Sequence, residues 1–410
     1  MLGSRRFWVI WMVICVLPVV ARNNHVVTLP SQAPSVTVNE DSTVSFCFCG
    51  IARHVSVQTD LQFVGEDSTR FNDMHTRKFK MRKQSDGCFH VTTPPVQPET
   101  YTYCFRINGK RKTDPLNNDT AWQMVHKWNI VSVGGSPQAD LYLQPELKGQ
   151  LIQTKWYDRV EGIYRRVNIY LPAAYFSPSL ERVKSSARSD CRWQPVEQIG
   201  EGFLPVLYLL HGINGYEGSW SERGRVIQII ENLIACDSIE PMIVVMPDCN
   251  TGVHEDSPSH HTLWSNVWHY PRLCHDHSLE LALEDLMQYM DTSYRVSGQR
   301  YIAGFSSGAR IAANIVNRYP KHFQAVGLFS PVVYKEQIPQ KSQISNHKSQ
   351  ISYHIYMGRS DMFINNGRRF HKRLTKSGID HFYLENEGGH TWRNWRLYLS
   401  DFLVRVSTRE

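Results

Sequence analysis

Two halves of different periodicity predict an all-β sandwich followed by a doubly wound, mostly parallel α/β sheet. Between Val26 and Val133 apolar and polar residues alternate with period two. From residue 151 near-continuous apolar runs alternate with amphipathic stretches at helical spacing. A third signal is Tyr301 to Ala312, strand then tight turn then helix, with Gly304-Phe305-Ser306-Ser307-Gly308 at the turn. At 410 residues, 41% hydrophobic and 20% charged, the chain has material for two domains and a sizeable core. Its net charge of +7 includes no dense basic run, which argues against a nucleic-acid partner.

The N-terminus reads as an address. Arg5 and Arg6 precede an apolar run from Phe7 to Val20, closed by Ala21 before Arg22-Asn23-Asn24. That pattern predicts a secretory leader over residues 1–21, and a secreted or periplasmic protein. The competing reading is a membrane anchor, but the run is short of the roughly 20 residues a span needs. Apart from Cys15 there are eight cysteines: Cys47, Cys49, Cys88, Cys104, Cys191, Cys236, Cys249 and Cys274. Export permits disulfides, and buried free thiols are the equal alternative. Cys47 and Cys49 lie two apart on an expected strand, face one way and are poorly placed to bond each other.

Residues 26–133 carry the strands of the first domain. TVSFCFCG, SVQTDLQFV, DGCFHVTT and TYTYCFRING alternate, separated by Asp-Gly, Pro-Pro and Asn-Gly turn signals. Short strands at this spacing predict an Ig-like sandwich. The stretch DGCFHVTTPPVQPETYTYCFRINGKRKTDPLNND resembles the early-set sandwich that precedes glycogen-branching-type enzymes and some esterases. Tyr101, Tyr103 and Trp122 read as core or interdomain aromatics, with a sugar platform as the alternative. Residues 134–150, GGSPQADLYLQPELKGQ, are rich in Gly, Pro and Gln and read as a linker.

Residues 151–408 form the second domain. Arg165 to Leu171 is an expected strand stopped by Pro172. FLPVLYLLHG and PMIVVMPDC are apolar throughout, as parallel strands covered on both faces are. HSLELALEDLMQYMDTSY is an amphipathic helix leading to the Tyr301 strand. QAVGLFSP, SYHIYMGRSD and HFYLENEGGH supply further strands, with helices between them and at the C-terminus. Such alternation gives a doubly wound sheet with its site beyond the strands' carboxyl ends. KSQIS occurs at 341 and again at 348, a tandem duplication in a polar loop.

The turn at Ser306 fits G-x-S-x-G, in which glycines two residues either side let a serine sit on a strained strand-to-helix corner. In an α/β-hydrolase the partners follow in the order serine, acid, histidine. Asp361 follows SYHIYMGRS and His390 follows HFYLENEGG, each directly after an expected strand. His390 would accept the Ser306 proton, and Asp361 would fix the imidazole tautomer. Backbone N–H groups of Ser307 and of Ile213, in the turn after LYLLHG, are the expected oxyanion donors. His211 reads as a structural hydrogen-bonder.

VLYLLHGINGYEGSW, YRVSGQRYIAGFSSGARIA and GIDHFYLENEGGHTWRNWRLYLSDFL together resemble the esterase D and feruloyl esterase branch of the α/β-hydrolases, over about residues 150–405. The resemblance implies cleavage of carboxylic esters without a cofactor, with Ser306, Asp361 and His390 at the triad positions. Ser306-Ser307-Gly308-Ala309 stands where that branch carries Ser-Met-Gly-Gly. The stretch 176–202 is longer than the branch's connection and reads as a lid. Trp220 is kept from the branch's His-Gly-to-Trp segment and is a candidate substrate contact. So are Trp264, Trp268 and Tyr270, which can face an aromatic or sugar group. His260, His261, His269, Cys274, His275, Asp276 and His277 invite a metal, but their spacing matches no zinc motif, so no metal is expected.

The function expected is removal of feruloyl or acetyl groups from plant cell-wall polysaccharide outside the cytoplasm. A siderophore (catechol trilactone) esterase and a glycan-binding protein with a vestigial hydrolase are the alternatives. Expected partners are a polysaccharide or small ester, with no nucleic acid and no membrane after leader cleavage.

Overall fold

The computed structural model describes residues 34–67, 75–123, 126–176, 180–181, 194–195, 203–213, 215–250, 278–339 and 351–407. The leader, nearly all of the 176–202 stretch and the KSQIS repeat up to Gln350 fall outside them. Among the described residues no helix is long and apolar enough to cross a membrane.

The period-two half folds into two antiparallel sheets. One runs Val36–Val38, Val44–Phe48, Phe89–Thr92, Arg82–Lys83. The other runs Arg77–Lys80, Val55–Thr59, Glu99–Ile107, His126–Val133, Thr120–Gln123, with Lys110–Lys112 also paired to the long central strand. Alternate residues of both sheets share a core, Val44, Phe46 and Phe89 meeting Val57, Tyr101 and Tyr103. Tyr101 is fully buried and donates its hydroxyl to the Gln97 carbonyl at 2.9 Å. Tyr103 is as deeply buried and donates to Asp114 Oδ2 at 2.7 Å. Both are core aromatics and offer no sugar platform. Cys49 is disulfide-bonded to Cys88 across the first sheet, while Cys47 keeps a free thiol 3.7 Å from Cys49 Sγ. Cys47, on the strand Val44–Phe48, and Cys49, just past its end, thus stay unbonded to each other.

The second half is an eight-stranded sheet. Its strands are β1 (Gln150–Asp158), β2 (Ile163–Leu171), β3 (Leu204–Leu210), β4 (Ile243–Pro247), β5 (Val296–Phe305), β6 (Ala325–Phe329), β7 (Ser352–Gly358) and β8 (His381–Asn386). Their order across the sheet is β1-β2-β4-β3-β5-β6-β7-β8, β2 being antiparallel to both neighbours and the others parallel. The helices that matter are α1 (Val226–Ala235), α2 (Ser278–Ser293), α3 (Ser307–Arg318), α4 (Ile364–Lys376) and α5 (Trp392–Ser407). Val206, Tyr208 and Leu210 of β3 face α2, α3 and α4, whereas Leu207 and Leu209 face α1 and α5. Both faces are covered, which is why these strands read as unbroken apolar runs. The architecture is that of an α/β-hydrolase.

The expected linker is a clasp. Pro137–Asp140 forms a short helix whose N-cap Ser136 accepts from the Ala139 N–H. Tyr142 is fully buried in the same core as α1 and α5. Asn232 of α1 donates to the carbonyls of Leu141 and Leu143. Composition misled here, because Gly and Pro serve as turn and cap residues in a packed segment.

Charged groups pin the sandwich to the sheet domain. Arg396 of α5 donates to Glu99 Oε1 at 2.8 Å, to the Arg223 carbonyl at 2.7 Å and to the Thr100 carbonyl at 3.3 Å. The Arg396 and Glu99 side chains are 3% and 4% exposed. Arg225 grips both oxygens of Asp119. The Trp122 N–H donates to Glu222, whose carboxyl pKa is raised chiefly by burial. Trp122 thus lies at the seam.

Candidate active site

β5 ends at Phe305 and α3 begins at Ser307, so Ser306 alone makes the corner. Its φ is 57° and its ψ −119°, a conformation that costs a non-glycine residue about 1–3 kcal/mol. Neighbouring backbone holds it there. The Ser306 N–H donates to the Phe329 carbonyl at the end of β6, and its carbonyl accepts from Val332. The corner is too tight for side chains on either flank. A Cβ on Gly304 would lie 2.7 Å from the Gly308 carbonyl carbon, and one on Gly308 would lie 2.8 Å from the Leu210 carbonyl oxygen. Gly308→Ala should therefore displace the elbow. We expect turnover to fall by roughly a hundredfold, as an ångström-scale misplacement does. The check is kcat on a small aryl ester alongside the melting temperature.

Asp361 and His390 are joined. His390 Nδ1–H donates to Asp361 Oδ2 at 2.9 Å, with Asp361 fully buried at its side chain. The other carboxylate oxygen accepts the Phe363 N–H at 2.8 Å, so the carboxylate cannot swing away. The loops after β7 and β8 hold each other in place: the N–H groups of Arg359 and Ser360 donate to the carbonyls of Asn386 and Gly388. Gly388 has φ +92° and packs on Asn394, where no side chain fits. His390 lies between Phe363 and Trp395, at centroid distances of 5.2 and 5.0 Å. Trp395 in turn stacks on Phe305, the residue before the serine, at 4.0 Å. One aromatic ring thus separates His390 from the elbow strand. Ser306 and His390 form no hydrogen bond in this structure, as is common before substrate tightens such a pair.

Ser307 opens α3, so its N–H is one of the unpaired donors of a helix start. Ile213 follows Gly212 just beyond β3. Both line a cavity of about 810 Å³ together with Ser306. His211 behind them is buried and fixes this loop. Its Nε2 accepts the Cys249 N–H at 2.9 Å and its Nδ1–H donates to the Gly212 carbonyl at 2.8 Å.

Trp220 is a correction. It is 1% exposed, donates its indole N–H to the Leu210 carbonyl, and packs edge-on against Phe305 and Trp392. It supports the elbow from the core and touches no substrate space. Trp264, Trp268, Tyr270 and the His260–His277 cluster lie outside the described residues. Sequence reasoning missed Arg310, Phe363, Asn366, Arg369 and Arg373, all lining the cavity. The signal was available: Arg310 follows Ser306 by four, and Arg369 and Arg373 are four apart, each one helical turn.

A family model described as putative esterase matches residues 195–406, just over half of the chain. The chain belongs to this family. An endo-1,4-beta-xylanase/feruloyl esterase from Xylanibacter ruminicola is 24% identical over 258 residues, which are 62% of this chain and 32% of that protein. The chain thus spans about a third of the length of that curated relative. Among solved structures, the enterobactin esterase from Shigella flexneri in the presence of enterobactin superposes with a TM-score of 0.53 at 16% identity, over 89% of this chain and 92% of that one. At that identity the likeness is one of fold. A CE1 ferulic acid esterase from Anaeromyces mucronatus gives 0.47 at 19% identity, over 70% and 96% of the two chains.

Proposed function

We propose that this member of the esterase family hydrolyses carboxylic esters through a Ser306 acyl-enzyme. Ser306 Oγ attacks the ester carbonyl as His390 Nε2 takes its proton, and the carbonyl oxygen becomes an oxyanion facing the Ser307 and Ile213 N–H groups. The tetrahedral intermediate collapses, His390 protonates the departing alkoxide, and water then repeats the sequence to release the acid. Asp361, held by two hydrogen bonds, keeps Nδ1 protonated and stabilises the imidazolium. The observation that carries this reading is the strained serine corner at the carboxyl end of β5, flanked by a bonded Asp–His pair after β7 and β8.

For the substrate we favour feruloyl or acetyl esters on cell-wall polysaccharide, met outside the cytoplasm after cleavage near Ala21. The likeness to a xylanase/feruloyl esterase supports it. We read the N-terminal sandwich as Ig-like and as a structural partner of the hydrolase. A catechol trilactone is the second reading, favoured by the arginines in the cavity wall. Comparing turnover of methyl ferulate, acetylated xylan and a catechol trilactone decides between them. Failure on all three, with aryl acetate also untouched, would leave a binding protein. With serine, histidine and backbone donors supplying the chemistry, EDTA should leave aryl acetate turnover unchanged. Inhibition by EDTA that zinc reverses would refute that.

A further inference from the structure

The cavity beside Ser306 carries more positive charge than a neutral ester requires. Arg310 sits in the first turn of α3, is 8% exposed and lines the cavity. Among the described residues no carboxylate pairs with it and no acceptor hydrogen-bonds its guanidinium. A cation so deeply placed normally has a partner, since removing it from water is costly unless a counter-charge meets it. Little of the residue reaches solvent, and what does opens on the cavity. Arg369 and Arg373, one turn apart on α4, face the same cavity from the other wall, likewise without a carboxylate partner among the described residues. Lys335 also lines it, beside Glu336, the single acid among the described lining residues. Three guanidinium groups therefore line the cavity beside the proposed nucleophile, against one carboxylate among the described residues, Glu336.

We infer that the ester cleaved here carries an anionic oxygen group, a carboxylate or its chemical equivalent, that pairs with Arg310. Resting on the esterase reading above, this names the class of ester. A guanidinium meets such a group with two parallel N–H donors, fixing orientation as well as adding attraction. Arg369 and Arg373, more exposed, draw the anion in and flank it. The charge lies in the part of the substrate that reaches past the scissile bond toward α3 and α4, on either the acyl or the alcohol side.

The test uses ester pairs differing in one charge. Mono-4-nitrophenyl adipate and 4-nitrophenyl hexanoate place a carboxylate or a methyl at the acyl end. 4-Acetoxybenzoate and its methyl ester do so on the leaving group. In one pair the charged member should exceed its neutral mate in kcat/KM by on the order of tenfold to a hundredfold. That pair locates the anion. Added salt should erode the preference, and Arg310→Gln should bring the ratio to about one, mainly through KM, with Arg310→Lys retaining part of it. If Arg310→Gln does not fold, Arg369→Gln with Arg373→Gln, on the exposed side of α4, should cut the same ratio severalfold and flatten its salt dependence. Equal turnover within both pairs, abolished by Ser306→Ala, would overturn the charge inference and leave the esterase intact. No turnover of any of the four would overturn both.

Discussion

Ser306→Ala or His390→Ala is expected to lower kcat on a small aryl ester by on the order of 10⁴ or more while the protein stays folded. The elbow is held by backbone bonds from Ser306 to Phe329 and Val332, and an alanine keeps both. Asp361→Asn should cost somewhat less. The amide presents a donor or an acceptor to His390 Nδ1 according to its rotation, so the imidazole loses its fixed tautomer without losing its place. Circular dichroism and melting temperature verify the fold, and burst kinetics verify the acyl-enzyme. If Asp361→Asn kept activity within tenfold, a different acid would have to orient the histidine.

The second large effect lies far from the chemistry. Glu99→Ala strips Arg396 of its carboxylate in a site where both side chains are almost fully buried. Removing one partner of such a pair costs about 3–5 kcal/mol. Replacing both by methionine should restore most of that stability, since the desolvation cost disappears with the charges. Denaturant melts of the single and double variants measure it, and a single variant as stable as the parent would refute the seam. A chain starting at Leu151 is expected to fare worse still. It loses Glu99 together with Tyr142, and a missing core aromatic alone costs about 3–5 kcal/mol. Turnover of small esters should therefore fail through loss of the fold. A truncated protein with the parent's melting temperature would show the clasp to be dispensable.

The two halves were legible because their periods differ, and β3 and β4 because burial on both faces demands unbroken apolar runs. Ser306, Asp361 and His390 were legible because each follows a strand and two need glycines beside them. What escaped was tertiary. Residues 137–142 look like a loop by composition, yet Tyr142 is buried in a core that it shares with residues 226–234 and 392–406. Trp220 reads as a substrate contact by resemblance, and its burial depends on Phe305 and Trp392, which sequence places far away. Arg310 escaped because only the cavity places it beside Ser306.

The Glu99–Arg396 contact also bears on the order in which the molecule is made. Its partners are 297 positions apart, and Arg396 belongs to the last helix. A ribosome delivers the sandwich strands first, so Glu99 leaves the tunnel long before its cation exists. Until α5 arrives, that carboxylate stays hydrated and the surface that will receive the helix stays open. A contact between positions so far apart in the chain therefore closes last, after both halves have been delivered.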